Sequence, residues 1–149
     1  MLQSLTEKER TRVVDILVNY WKERGMPQYG VKWAEDYLMN GHKKEVKRDE
    51  FFVYNVDDEV IGTISLVTDV SDVAEIRDMV VKPEYRGKGY GKKMLNELIK
   101  LAKERHLRKL FALTKIEGIF KSAGFEKEGV LKNHFTEGED LIIMSKFLQ

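Results

Sequence analysis

The sequence predicts a mixed α/β protein in a single domain that spans residues 1–149. Amphipathic runs with helical spacing alternate with short runs rich in aromatic and β-branched residues. No repeat, linker or low-complexity segment divides the chain. A length of 149 residues is also sufficient for one hydrophobic core.

Two helices are predicted before the first strand. The segment from Thr6 to Glu9 has the pattern of a capping box, apolar residues follow at helical spacing, and Gly25 ends the run. A second short helix is predicted over 32–40. The basic segment 42–48 is expected to be an exposed loop, and the alternative is a rim that attracts acidic groups of a substrate.

The rest of the chain alternates between strands and helices. Asp57 and Asp58 are expected to form the turn of a hairpin. The third strand is expected to end before Pro83, because proline cannot sit in a central ladder. In chain order, the predicted elements are strands at 51–56, 60–67 and 73–81, a helix at 92–105, a strand at 109–113, a helix at 116–122, and strands at 125–131 and 141–147.

Composition excludes several classes of protein. The net charge of +1 gives no reason to expect a nucleic-acid partner, and the absence of cysteine excludes disulfides and a cysteine nucleophile. The three histidines lack metal-ligand spacing, so no metal is expected. No apolar run reaches the ~20 residues of a membrane span, and the first residues do not resemble a signal peptide, so a cytoplasmic protein is expected.

The most informative segment is the turn Arg86-Gly87-Lys88-Gly89-Tyr90-Gly91. It connects an apolar strand to an amphipathic helix. Its glycines permit positive φ angles and a close approach of the backbone. The first amides of the following helix have no partner within the helix, and they point toward any bound anion. Two basic side chains add positive charge, so the turn is a candidate phosphate site.

Two common phosphate-binding motifs do not fit this turn. A Walker-type loop ends in Gly-Lys followed by Ser or Thr, whereas Gly91 is followed by two lysines. A dinucleotide fingerprint lies in an early strand–helix–strand unit, whereas this turn follows a hairpin and lacks the first glycine of that pattern.

The chain resembles the GNAT superfamily of acyl-CoA N-acyltransferases over nearly its whole length. The signature of that family is a strand, then Arg/Gln-x-x-Gly-x-Gly/Ala, then a helix, and here it is carried by 74–81, 86–91 and the helix that follows. The corner 120–126 and the last strand around Met144 also match the family. Residues 1–6 stand where the family has a short first strand. The resemblance implies a mainly antiparallel sheet flanked by helices, with a splayed central pair of strands.

The resemblance also implies a donor site for acetyl-CoA. The amides of 87–92 would hold the coenzyme A pyrophosphate, and the backbone of the third strand would pair with the pantetheine arm. The implied mechanism is direct attack of an amine on the acetyl group. The candidate donor-binding residues are Met79, Val80, Val81, Arg86, Gly87, Lys88, Gly89, Tyr90, Gly91 and Lys92.

One catalytic residue follows from the same comparison. Glu75 matches the strand glutamate of the family and is the candidate general base, acting directly or through water. The alternative is a structural ion pair with Arg77 or a lysine. Phe120 stands where many members have a tyrosine that serves as the general acid, so no acid can be named, although Tyr29, Tyr90 and His134 are of suitable type. Strand alternation is expected to place Glu75, Arg77, Met79 and Val81 on one face, with Ile76, Asp78 and Val80 on the other.

The acceptor amine is left open. The family selects it with the first helix pair and with the loop before the last strand, here 20–40 and 133–140, and Tyr29 and Trp33 are candidate substrate-binding residues. Two partial likenesses disagree about the acceptor. One is to members that act on amino acids, and the other is to members that act on protein amino termini or polyamines. A non-catalytic acetyl-CoA sensor is the rival function, and a nucleic-acid binder that uses 42–48 is disfavoured by charge. The resemblance also allows a homodimer.

Overall fold

The computed structural model describes residues 5–40, 48–69 and 71–149. They belong to two compact units, with the first two helices in one and the sheet in the other. Residues 42–47 of the expected loop 42–48 lie outside the described residues, and Arg48 begins a strand rather than ending a loop. Residues 1–4 of the expected first strand also lie outside the described residues, while Leu5 and Thr6 form no strand. That the whole chain is one domain stays a prediction.

The first unit is a pair of helices, α1 (Arg10–Glu23) and α2 (Val31–Asn40). The Glu9 carboxylate accepts a hydrogen bond from the Thr6 amide at 3.1 Å, as the capping pattern predicts, although a 3-10 turn at Glu7–Glu9 precedes α1.

Three aromatic rings pack together within this unit. The ring centroid of Trp21 lies 5.6 Å from that of Tyr29 and 4.9 Å from that of Trp33, and the Tyr29 and Trp33 rings are 4.8 Å apart. These distances are typical of packed aromatic pairs.

The second unit contains a six-stranded sheet and two helices. Its strands occur in the spatial order β1-β2-β3-β4-β6-β5, and all neighbouring pairs are antiparallel except β3 and β4. The predicted mixed, mainly antiparallel sheet with flanking helices is confirmed. The elements are β1 (Arg48–Val56), β2 (Glu59–Thr68), β3 (Val73–Val81), α3 (Tyr90–Glu104), β4 (Lys109–Thr114), α4 (Gly118–Ser122), β5 (Glu126–Leu131) and β6 (Leu141–Phe147).

The core of the second unit lies between one face of the sheet and the two helices. Leu95 and Ala102 of α3 are completely buried, and so is Leu110 of β4. The apolar stripe of α3 recurs at the spacing expected for one helix face, which explains why this long helix lies along the sheet. The core also includes Ile64, Leu66, Ala74, Ile76, Ala112, Phe120, Phe125 and Met144.

A β-bulge interrupts the alternation of side chains that the sequence predicts for β3. Ser65 of β2 pairs with Arg77, but Thr63 pairs with Val80, so two residues of β3 stand opposite Ile64. Because the extra residue reverses the alternation, Val81 lies on the helix-covered face with Ile76, and Met79 packs against the same core. Glu75, Arg77 and Val80 lie on the other face. The predicted grouping of Met79 and Val81 with Glu75 is therefore wrong.

Candidate active site

The two central parallel strands separate after four residue pairs. Their pairing runs from Val73 with Lys109 to Ile76 with Ala112 and then stops, although β3 continues for five residues. Beyond Ala112, β4 still pairs with β6 but not with β3. This gap between the carboxyl ends of the two strands, called the fork below, is where open α/β sheets commonly bind ligands.

A groove of about 680 Å³ lies beside the fork. The end of β3, the turn that follows it and the start of α3 line it, together with Ile116, which precedes α4, and Ile119 in its first turn. Lys88 is the one candidate donor-binding residue that does not line the groove. The lining residues are Met79, Val80, Val81, Tyr85, Arg86, Gly87, Gly89, Tyr90, Gly91, Lys92, Ile116 and Ile119.

The glycines of the turn have the geometry that the sequence predicts. Gly87 and Gly89 have φ angles of +73° and +84°, which side chains other than glycine rarely adopt. Gly89 is the N-cap of α3, and Lys93 donates the first helical hydrogen bond, to the Gly89 carbonyl at 3.1 Å. The amides of residues 90–92 therefore precede the hydrogen-bond ladder, and the helix dipole adds to their attraction for an anion.

Gly91 has a different role from the other two glycines. A Cβ atom at this position would lie 2.7 Å from Cδ1 of Ile119, closer than van der Waals contact allows. The missing side chain thus lets the start of α3 approach α4 across the end of the groove.

Two basic side chains brace the turn. The Arg86 Nε atom donates a hydrogen bond to the Val81 carbonyl at 2.8 Å, which ties the turn to the strand before it. The Lys88 ammonium lies 5.5 Å from the centre of the Tyr85 ring, within the range of a cation–π contact. Both cations remain exposed, so they also contribute positive potential near the groove.

Glu59, the first residue of β2, contacts the segment 82–85 that leads from β3 into the turn. Its carboxylate accepts hydrogen bonds from the Lys82 ammonium and the Tyr85 hydroxyl, both at 2.7 Å. These bonds lower the pKa of Glu59, the Lys82 bond contributing most, while the bond to Glu59 raises the pKa of Tyr85. Tyr85 also lines the groove, although it was not among the predicted site residues.

Glu75 lies one residue before the fork. Its side chain is 12% exposed, and its Oε2 atom accepts a hydrogen bond from Arg77 Nη2 at 2.6 Å. That hydrogen bond is the largest cause of a raised pKa for Arg77. The ion pair that is the alternative role of Glu75 is thus present. An ionised carboxylate has two oxygens that accept hydrogen bonds, so a structural ion pair and a contact with a substrate are compatible.

Phe120 points into the core rather than offering a polar group to the groove. Its side chain is 4% exposed, and its ring lies 5.3 Å from that of Phe125 in an edge-to-face arrangement. The neighbouring Ile116 and Ile119, three residues apart on the same segment, line the groove instead.

The remaining predicted site residues lie elsewhere. Tyr29 and Trp33 belong to the aromatic cluster of the first unit, and their role in substrate binding stays a prediction. His134 is exposed in the loop between β5 and β6.

The described residues contain neither a group of metal-ligand side chains nor a helix that could span a membrane. Across 5–40, 48–69 and 71–149, no three His, Asp or Glu side chains form a group that could hold a metal ion. None of the helices within those ranges is long and apolar enough to cross a membrane.

Comparison with known proteins identifies the family. Residues 11–125 match the acetyltransferase (GNAT) family. The chain belongs to this family. The match covers the strand at 74–81, the signature turn, the helix that follows it and the Gly124-Phe125 corner, on which the sequence resemblance rested, while the last strand around Met144 lies outside it.

Individual relatives are more distant. A candidate [ribosomal protein bS18]-alanine N-acetyltransferase of Bacillus subtilis strain 168 is 35% identical over 81 residues, which are 50% of this chain and 54% of that protein. An uncharacterized N-acetyltransferase of Methanocaldococcus jannaschii is 33% identical over 135 residues, covering 79% of this chain and 58% of the relative. The chain thus spans little more than half the length of these curated relatives.

A solved structure shows the same fold. A GNAT family acetyltransferase from Elizabethkingia anophelis, crystallised with acetyl-CoA bound, superposes with a TM-score of 0.62 at 21% identity. The superposition covers 78% of this chain and 82% of that one.

The Glu59 contacts predict a specific pH dependence of stability. Because the folded-state pKa of Glu59 is lowered, its contribution is present above the unfolded value of about 4.3 and is lost as the pH falls through the folded value. We expect Glu59→Gln to flatten the loss of unfolding free energy between about pH 5 and pH 3, measured by urea unfolding at each pH. Glu84→Gln, on the same segment, is the control. If the free energy of unfolding fell equally with decreasing pH in both variants and in the wild type, the prediction would be contradicted.

Proposed function

We propose that this protein is an N-acetyltransferase that moves an acetyl group from acetyl-CoA to a primary amine by direct attack. The observation that carries the proposal is the groove at the fork, with two left-handed glycines and the first amides of α3 in its wall. Membership of the GNAT family supports the reaction type.

The groove fits the chemistry of coenzyme A. At one end, the amides of residues 87–92 and the cations Arg86, Lys88 and Lys92 suit a pyrophosphate. Further along, the side chains of Met79 and Ile119 suit the apolar parts of the pantetheine arm. The edge of β3 that no longer pairs with β4 can accept hydrogen bonds from the amides of that arm, as it would from an added strand. Each candidate donor-binding residue keeps its assigned role in this proposal.

When bound, acetyl-CoA supplies a thioester whose carbonyl carbon accepts a nucleophile. Glu75 is the candidate to take the proton of the attacking amine, either directly or through a water molecule, because it lies one residue before the fork, on the face of the sheet away from α3 and α4. Arg77 keeps the carboxylate in place through their ion pair. The proposal assigns no general acid, since Phe120 is buried and has no proton to give.

The acceptor class remains broad in this proposal. The name of the B. subtilis relative refers to an alanine of a ribosomal protein, which supports a protein amino terminus as one candidate. Amino acids or other small amines, polyamines and protein lysines are the others. Tyr29 and Trp33 are retained as candidate acceptor contacts, and the cytoplasm as the expected compartment.

The decisive experiment measures thiol release from acetyl-CoA with a panel of amines. The chain contains no cysteine, so a thiol-reactive dye has no background from the protein. We expect release above buffer with an amino acid, a polyamine, a peptide with amino-terminal alanine or a peptide with an internal lysine, and an acetylated amine by mass spectrometry. Binding of coenzyme A without turnover on any amine would indicate the rival sensor function. Failure to bind coenzyme A would overturn the proposal.

Gly91→Ala tests the donor groove. The added Cβ would lie 2.7 Å from the terminal Cδ1 atom of Ile119 and would displace that side chain, which lines the groove. We expect the Kd for coenzyme A, measured by calorimetry, to rise about tenfold. Gly118→Ala is the matched control, because nothing lies within 4 Å of a Cβ atom at that glycine. A Gly91→Ala protein that binds as tightly as the control would show that coenzyme A lies elsewhere.

Glu75→Gln tests the general base. Removing a positioned base commonly lowers the rate by about 10²–10⁴-fold, and we expect kcat to fall within that range with loss of the acid limb of the pH–rate profile. An unchanged profile would mean that Glu75 is not the base.

Arg77→Gln is the companion variant, since it breaks the same ion pair but keeps the carboxylate. We expect it to retain most activity, because the Glu75 carboxylate is still present to accept the proton. If both variants lost activity equally, the ion pair rather than the proton acceptor would be essential.

A further inference from the structure

The bulge in β3 depends on an unusual backbone conformation. Asp78 has a φ angle of +50°, in the left-handed region that costs most residues roughly 1–2 kcal/mol. Aspartate tolerates this region better than most side chains do. A strained residue persists only where its surroundings hold it, so some neighbouring contact is expected to stabilise Asp78.

Ser65 provides that contact from the adjacent strand. Its hydroxyl donates a hydrogen bond to the Oδ2 atom of Asp78 at 2.9 Å. The Ser65 side chain is among the most deeply buried polar groups of the chain, with the residue 1% exposed. A hydrogen bond to a charged group is stronger than one between neutral groups, and a buried hydroxyl without a partner is costly. The bond therefore favours the bulged pairing over a regular one.

The bulge determines which side chains at the end of β3 face α3 and α4. Gly62 pairs with Val81, and Gly62 lies on the same side of β2 as the core residues Ile64 and Leu66. Without the extra residue, alternation from Ile76 would turn Val80 toward the helices and would turn Met79 and Val81 away from them. The groove-facing positions of Met79 and Val81 thus exist because Asp78 is accommodated in the strand.

We propose that Ser65 and Asp78 are positioning residues for the donor site: their hydrogen bond holds the bulge that places Met79 and Val81 along the groove. The inference rests on the proposed function, because it concerns the binding of the acetyl donor. Neither residue lines the groove, so the pair acts through the strand rather than by contact with the ligand.

Ser65→Ala is the first test. If the bulge is formed only about one-fifth of the time without its hydrogen bond, the apparent Kd for coenzyme A rises about fivefold. We expect that rise by calorimetry and the same rise in the KM for acetyl-CoA. At saturating acetyl-CoA, kcat and the KM for the amine are expected to stay close to wild-type values, because bound donor selects the bulged strand.

Two variants at position 78 extend the test. Asp78→Gly removes the acceptor but tolerates the left-handed conformation, so the protein is expected to fold, and we expect it to weaken donor binding as Ser65→Ala does. Asp78→Asn keeps an oxygen acceptor and a tolerance of this conformation, and it is expected to restore donor affinity to within about twofold of wild type.

Ser145→Ala is the matched control. Ser145 is a strand serine that is 4% exposed and hydrogen-bonds to a carboxylate, that of Glu128, far from the bulge. A merely structural role for Ser65 predicts that Ser65→Ala and Ser145→Ala lower the Tm while both leave the donor Kd unchanged, and that result would overturn the inference. Wild-type protein that turns over acetyl-CoA in the same series would show that the proposed function survives. Absence of donor binding in the wild type would instead reject that function.

Discussion

The separation of β3 from β4 is the constraint on which the candidate site depends. The two strands stay paired only where Ala74, Ile76, Leu110 and Ala112 are buried against the helix side of the sheet. Beyond that point no ladder joins them, and the backbone edge of β3 is left without the partner that a continuous sheet would provide. Backbone groups away from water need partners, so an open edge inside a groove favours a ligand that brings its own amides and carbonyls. The fork thus provides both the space for a ligand and the hydrogen-bonding groups that recognise it.

The turn after β3 supplies the complementary end of the groove. Its geometry is held in place before any ligand arrives, because Glu59 binds Lys82 and Tyr85 on one side and Arg86 binds the Val81 carbonyl on the other. A preformed anion site reduces the ordering cost of binding. Since α3 packs its apolar face on the core directly behind this turn, the orientation of its first amides is fixed by the same contacts that stabilise the fold.

The sequence was sufficient to predict features that depend on local patterns. The signature turn, the left-handed glycines and the helix after them are encoded in consecutive residues, and the structure brings them to one groove. The bulge was missed because it depends on a mismatch in length between β2 and β3, and Arg77-Asp78-Met79 reads equally well as regular alternation. Tyr85 and Ile119 were missed for a related reason, since their proximity to the groove arises from the packing of α4 and of the β1–β2 hairpin against the turn.

The bulge also separates the two halves of the proposed reaction. Before Asp78, alternate residues of β3 place Glu75 and Arg77 on the face away from the helices. After it, Met79 and Val81 face the helix-covered groove. A strand with uninterrupted alternation would place the candidate base on the same face as Met79 and Val81. In the proposed reaction, this one inserted residue therefore separates Glu75, the candidate base, from Met79 and Val81, which are candidate donor contacts on the other face of the strand.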